Sequence, residues 1–237
     1  MITLRSLAVW GFAWVYMLAA GVISLPWLLC LRRLDFTYAL ARAGIRGLLA
    51  LAGVRVEITG REHLAGIGPR LYMANHQSNL DPPILLGALP GEIAFLAKKE
   101  LFGVPLLGAV LRIGGLVPVD RSNRASAQAS IASAAEAVRA GRSFLIFPEG
   151  TRSPDGQLLE FKKGPFYLAQ QAAARVVPVA VRGSGACMPK GRWRIRPGRV
   201  EVRIQAPITT EEWGGAAEPR AALAGLVRER LQQATGC

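Results

Sequence analysis

Between Ser6 and Leu31 the chain carries no charged residue, and this run constrains the fold more than any other feature. A stretch so apolar must be covered by protein or by lipid, and roughly 20 apolar residues suffice for a helix to cross a hydrocarbon core. Trp10, Trp14, Tyr16 and Trp27 are spread through it, and such rings gather at membrane–water interfaces. Gly21 and Pro26 are helix-weakening residues, so the run reads either as a span or as a shallower, interfacial segment. A cleaved signal peptide fits less well, because the apolar part is long and only Arg5 precedes it. Arg32, Arg33, Arg42 and Arg46 follow, which puts the positive side, and the main domain, in the cytoplasm.

Leu34 to Ala52 predicts a second helix. Leu34, Leu40, Leu48, Leu49 and Leu51 supply its apolar part, while Arg42 and Arg46 stand one turn apart as a basic stripe. The pattern suits a helix lying at a lipid interface or an ordinary amphipathic helix packed on the domain. Gly53 closes it. Residues 1–52 therefore read as membrane-anchoring helices and residues 53–237 as one α/β domain.

Composition narrows the partners. A net charge of +13 and a pI near 10.8 call for an anionic one, nucleic acid or membrane. Hydrophobic content of 51% and a mean hydropathy of +0.27 favour the membrane. The basic residues are spread out, and no zinc finger, RNA-recognition signature or coherent basic recognition helix is present. Cys30, Cys187 and Cys237 form no CxxC and no disulfide framework, and two histidines add no metal-ligand spacing, so no metal site is expected.

From Val54 onward the pattern alternates strand and helix. Strands are expected at Val54–Thr59, Arg70–Ala74, Ile93–Ala97, Leu116–Val119, Phe144–Phe147, Val176–Val181 and Val200–Ile204. Helices are expected at Pro82–Ala88, Pro105–Ile113, Ala125–Arg139, Phe166–Ala174 and Pro219–Gln233. This is the signature of an α/β layer fold with a mixed, mostly parallel sheet flanked by helices. Ligands of such sheets collect beyond the carboxyl ends of strands, and the polar clusters fall there: His76 to Asp81, Lys98 and Lys99, Arg121, and Glu149 to Arg152.

His76 is the foremost candidate base, because the only other histidine, His63, sits in a polar turn without a suitably spaced acid. Five residues apart on one helix, His76 and Asp81 would point about 140° from each other. Across a strand-to-helix turn the carboxylate can instead orient the ring, and Asp81 ahead of Pro82 and Pro83 also suits a helix N-cap. Gly150 permits a tight turn, and Thr151 and Arg152 add donors suited to a phosphate.

Four blocks then resemble the glycerolipid acyltransferase family. Asn75-His76-Gln77-Ser78-Asn79-Leu80-Asp81 resembles its His-x4-Asp block, and Gly115-Leu116-Val117-Pro118-Val119-Asp120-Arg121 its second block. Phe147-Pro148-Glu149-Gly150-Thr151-Arg152-Ser153 matches the third throughout, and Val176-Val177-Pro178-Val179-Ala180-Val181 is similar to the fourth. Size and the leading apolar segment resemble bacterial members that acylate 1-acyl-sn-glycerol 3-phosphate. The resemblance implies transfer of an acyl group from acyl-CoA or acyl-carrier protein to the sn-2 hydroxyl, giving phosphatidic acid, at the cytoplasmic face of a bacterial inner membrane. No bound cofactor is implied. His76 would be the general base and Asp81 its orienting partner. Arg121, Glu149, Gly150, Thr151 and Arg152 would hold the acceptor phosphate, with Glu149 orienting Arg121 or Arg152 and with charge from Lys98 or Lys99. Backbone N–H groups near the His76 or Glu149 turn are candidate oxyanion donors. Cys187 is not expected to be a nucleophile. The rival readings are the same chemistry on lyso-ornithine lipid or glycerol 3-phosphate, and a membrane protein that binds anionic lipid without turnover.

Overall fold

Short β-rich runs separated by helices must pair through crossovers, and in the computed structural model they do. The structure describes residues 2–31, 33–66, 68–104, 107–120 and 123–236; Arg32, Pro105, Arg121 and Cys237 lie outside them. Seven strands, β1 (Val54–Thr59), β2 (Arg70–Ala74), β3 (Ile93–Lys98), β4 (Val117–Val119), β5 (Ser143–Ile146), β6 (Arg175–Arg182) and β7 (Gly198–Ile204), form one sheet in the order β1-β7-β6-β2-β5-β3-β4. The five strands from β6 to β4 are mutually parallel, whereas β7 runs antiparallel to β6 and carries β1 with it. The sheet is therefore mixed and mostly parallel, and the exits of β2, β3, β4, β5 and β6 share one edge.

Helices cover both faces. On one side α1 (Ile2–Leu31), α2 (Asp35–Ala52) and α3 (Asp81–Ala88) pack on a core that includes Val9, Leu49, Tyr72, Ile84, Leu85 and Val179. On the other, α5 (Arg124–Arg139), α6 (Lys163–Ala172) and α9 (Pro219–Thr235) enclose Met73, Phe144, Ile146, Leu168, Val227 and Leu231. The short helices α4 (Leu107–Ile113), α7 (Ser184–Cys187) and α8 (Thr210–Trp213) fill connections. The last two have no counterpart among the expected elements.

The helix α1 runs through Gly21 and Pro26 without a break. Packing on α2 holds it on both sides of the proline: Tyr16 Oη donates to Leu40 O at 2.9 Å, and the rings of Trp27 and Phe36 lie 5.0 Å apart. Tertiary contact thus overrides the weak local propensity. By length and composition α1 could cross a membrane. Yet its first turns are fastened to the α/β body, since Ser6 Oγ accepts from Ile195 N at 2.9 Å and Trp10 Nε1 donates to Trp193 O at 2.9 Å.

The helix α2 is fastened too. Tyr38 Oη donates to Ile93 O at 2.8 Å and to Gly114 O at 3.2 Å. Arg42 is not part of an outward basic stripe: it donates to Leu86 O and Leu89 O, each at 3.2 Å, and to Gly91 O. These carbonyls close α3, and a guanidinium there satisfies acceptors that the helix end leaves open. Arg46 remains exposed.

Candidate active site

The strand β2 lies between β6 and β5, so its exit can be held from both flanks. The side chain of Asn75, buried at the strand end, donates through Nδ2 to Val181 O at 2.8 Å and accepts from Val181 N at 2.7 Å through Oδ1. This locks β2 to β6 where the chain leaves the sheet. On the other flank Glu149, just after β5, accepts from His76 N at 2.7 Å through Oε1 and from Leu159 N at 3.0 Å through Oε2. Ser153 N donates to His76 O at 2.7 Å. Both main-chain polar groups of His76 are therefore bound to the turn after β5.

Asp81 is not the N-cap of α3. Leu80 occupies that position, and Asp81 begins the helix with its carboxylate turned back into the preceding turn. Its Oδ2 meets His76 Nδ1 at 2.8 Å and accepts from Gln77 N at 2.7 Å and Ser78 N at 2.8 Å. Pro82 and Pro83 lack the N–H groups that a first helical turn leaves unpaired, so they begin α3 without loss. The ring of Phe147 stacks on that of His76, with centroids 4.1 Å apart and planes 20° from parallel. Asp81 is fully buried and His76 is 13% exposed, so little of the imidazole meets solvent. With Nδ1 engaged by Asp81, Nε2 is the nitrogen left for a reacting group.

Among the described residues Glu149 makes no bond to Arg152, one of the two arginines it was expected to orient; the other, Arg121, lies outside them. The oxygens of Glu149 go to two backbone N–H groups, and burial pushes its carboxyl pKa up while those bonds pull it down. A buried carboxyl needs such donors, because an unpaired one would be costly. The His76 turn is also a poor source of oxyanion donors, since the N–H groups of His76, Gln77 and Ser78 are already committed to carboxylates.

Gly150 adopts φ +69°, and a Cβ there would approach Lys162 Cγ to 3.2 Å, so the turn favours glycine on two counts. Thr151 is exposed and Arg152 half-buried beside it. Lys190 Nζ donates to Arg152 O at 2.7 Å. Arg121 lies outside the described residues. Beside Phe147 and Gly150 opens a mainly apolar cavity of about 440 Å³, lined also by Leu96, Val119, Ile131 and Lys162.

The structure does not bring Lys98 and Lys99 to His76. The strand β3 is two places from β2, roughly 10 Å at ordinary strand spacing. Both lysines are 67% exposed and pair with Glu100 at 3.3 Å and Asp120 at 3.7 Å. His63 lies on the 3₁₀ turn that joins β1 to β2, at the opposite sheet edge. Burial pushes the Cys187 thiol up, which disfavours a thiolate nucleophile. Asn75 and Phe147 are the contributors without an assigned role in the sequence. Their signals were a polar residue ending a buried strand and an aromatic at the mouth of a motif.

Comparison with known proteins agrees with this geometry. An acyltransferase family model matches residues 55–182. A 1-acyl-sn-glycerol-3-phosphate acyltransferase of Limnanthes alba is 37% identical over 196 residues, covering 81% of this chain and 67% of that protein. The human 1-acyl-sn-glycerol-3-phosphate acyltransferase alpha is 32% identical over 182 residues, 76% of this chain and 64% of its own length. The matched stretch is thus about two thirds of these relatives. The crystal structure of the 1-acyl-sn-glycerophosphate (LPA) acyltransferase PlsC from Thermotoga maritima superposes with a TM-score of 0.81 at 28% identity, covering 98% of this chain and 96% of that one. A carboxylate-oriented histidine at a strand exit, the matched family model and a shared fold over nearly the whole length lead to one conclusion: the chain belongs to the glycerolipid acyltransferase family.

Proposed function

We propose that this enzyme transfers an acyl group from acyl-CoA or acyl-carrier protein to the sn-2 hydroxyl of 1-acyl-sn-glycerol 3-phosphate, releasing the thiol and phosphatidic acid. The observation that carries the reading is the 2.8 Å contact of His76 Nδ1 with a buried Asp81. An alcohol is a poor nucleophile at neutral pH, so a fixed base is required. His76 Nε2 takes the hydroxyl proton as the oxygen attacks the thioester carbonyl, and Asp81 stabilises the imidazolium that forms. Collapse of the tetrahedral intermediate breaks the C–S bond, and the imidazolium returns the proton to the departing thiolate. No acyl-enzyme is needed, because both substrates meet in one site.

The acceptor is supported by the names of the relatives and by the turn after β5. Gly150, Thr151 and Arg152 offer a backbone bend, a hydroxyl and a guanidinium at the site's rim, with Arg121 of the second block as a further cation. The guanidinium fork suits a phosphate. The apolar cavity beside Phe147 suits an acyl chain.

Residues 1–52 serve as the membrane anchor and residues 53–237 as the catalytic domain, at the cytoplasmic face of a bacterial inner membrane. Both α1 and α2 are fastened to the α/β body, so α1 lies along the surface and does not span. Leu4, Leu7, Trp14, Leu18, Val22 and Leu25 are all exposed and recur at helical spacing, giving one apolar stripe along the length of the helix. Such a stripe enters a single leaflet.

The test is acyl transfer by purified, detergent-solubilised protein, comparing lysophosphatidate, lyso-ornithine lipid and glycerol 3-phosphate with each donor. Turnover of lysophosphatidate that vanishes in His76→Ala is expected. Turnover of another acceptor alone would overturn the substrate. No turnover, with wild type and variant binding lipid equally, would replace the enzyme with a lipid-binding protein.

A further inference from the structure

Between α7 and β7 the chain runs Pro189-Lys190-Gly191-Arg192-Trp193-Arg194-Ile195-Arg196-Pro197 without regular structure. Every second residue from 190 to 196 is basic. Lys190, Arg192, Trp193, Arg194 and Arg196 are exposed, whereas Ile195 is fully buried. Among the described residues no carboxylate pairs with any of the four cations. Most such charges are simply solvated. Here, however, the backbone is pinned along its length. Arg196 N donates to Cys187 O at 2.8 Å, Ile195 N to Ser6 Oγ at 2.9 Å, and Trp193 O accepts from Trp10 Nε1 at 2.9 Å. At its other end Lys190 Nζ reaches Arg152 O at 2.7 Å. The Arg194 guanidinium lies over the Trp193 ring, 5.7 Å from its centroid.

Position decides what this arm can meet. Trp10, which holds Trp193, follows Leu7 by three residues and precedes Trp14 by four, so it borders the exposed apolar stripe of α1. Arg5 extends the basic patch, since its guanidinium and Pro197 share the space over Gly53. A cluster of unpaired arginines around an exposed tryptophan, beside a helix that enters a leaflet, has the composition of a segment at headgroup depth.

We infer that the arm 189–197 is a docking surface for anionic phospholipid headgroups, distinct from the helix pair. Arg192, Arg194 and Arg196 face the phosphates, and Trp193 beds into the interface. Because the arm is tied to α1 at Trp193 and Ile195 and to the candidate phosphate turn at Lys190, headgroup binding sets the height and tilt of that turn over the membrane. The inference rests on α1 lying in the interface and adds a second contact with a preferred lipid class.

The experiment is flotation of the full chain with phosphatidylcholine vesicles, with and without phosphatidylglycerol. It compares wild type, Trp193→Ala and the triple variant Arg192→Gln/Arg194→Gln/Arg196→Gln. For anionic vesicles the triple variant should lose about fivefold in affinity per arginine at low ionic strength, the loss shrinking with added salt. Its binding to phosphatidylcholine should not change, and Trp193→Ala should weaken binding to both vesicle types. Turnover of lysophosphatidate in neutral detergent micelles should stay within about twofold of wild type in the triple variant, which also shows that it folds. If wild type itself turned over no acceptor, the proposed reaction would fail while the vesicle result still judged the arm. Equal flotation of the triple variant and wild type with anionic vesicles would overturn the inference. So would unchanged flotation together with a raised KM for acyl-carrier protein and not for acyl-CoA, which would make the arm a protein-docking face.

Discussion

The exits of β2 and β3 open on the same edge of the same sheet, and both deliver polar residues, yet they are built differently. At the β2 exit Asn75, His76 and Asp81 are buried or nearly so: Asn75 is hydrogen-bonded to β6, His76 to the turn after β5, and Asp81 to His76 and the two residues after it. At the β3 exit Lys98 and Lys99 stand in solvent in loose ion pairs, of a kind worth little. The contrast teaches that being at a strand's carboxyl end is not enough. At the β2 exit the polar groups are in addition braced by buried hydrogen bonds, and those of the β3 exit are not.

Asp81→Asn offers the sharpest test of that contrast. The amide keeps the shape but loses the charge that stabilises a protonated His76, and its NH2 falls where Asp81 Oδ1 lies buried without a hydrogen-bond partner among the described residues. We expect kcat to fall by about 10²–10⁴-fold with KM little changed, read from initial rates. Retention of activity would erase the distinction between the two exits.

Glu149→Gln comes next. One amide end must present an N–H to an existing backbone donor, shifting His76 while leaving its ring chemistry intact, so a drop in kcat of about 10- to 100-fold is expected. A pH series adds a second readout. Burial raises the folded-state pKa of Glu149, so the folded state holds that proton more tightly than the unfolded chain. The stability linked to it is fully present below the ordinary glutamate pKa of about 4.3 and is lost as pH rises towards the raised value. Across that window wild type should lose stability relative to Glu149→Gln, as measured by urea denaturation. Parallel curves would show that the carboxyl feels no burial.

Asn75→Ala strips two bonds from Val181, leaving a buried N–H and a buried C=O unpaired, and should lower stability by about 2–4 kcal/mol by urea denaturation. A loss below about 0.5 kcal/mol would mean that the β2 exit is no better braced than its neighbour. The smallest effect belongs to the β3 exit: Lys98→Ala and Lys99→Ala should each change kcat/KM by less than about twofold. A tenfold loss in either would bring β3 into the site.

The elements of this fold were largely legible because their residues repeat at the right periods. Val54–Thr59 and Arg70–Ala74 match the sequence reading at both ends, the one by alternation and the other as a buried run. The His76–Asp81 pair was legible through its spacing ahead of two prolines that begin a helix. What could not be read were partnerships that leave no pattern. A carboxylate bonded to a distant backbone N–H, as in Glu149, has no local signature, so the sequence offers only the cations Arg121 and Arg152 as its partners. Arg42 looked like surface charge because the carbonyls it binds, of Leu86, Leu89 and Gly91 at and just past the end of α3, are distant in sequence. The reversal of β1 and β7 depends on pairing across the sheet, which hydrophobic periods do not encode.

The bonds around His76 also impose a timetable on the newborn chain. Glu149 lies 73 residues beyond His76, Val181 lies 106 beyond Asn75, and Trp193 lies 183 beyond Trp10. Synthesis delivers the N-terminus first. The two helices of residues 2–52 therefore leave the ribosome while His76 has neither brace nor stacking ring. The brace and the stacking ring of His76 arrive only when residues past the midpoint have been made and folded back. Under the proposed function, the chain thus reaches the membrane before it is able to act on it.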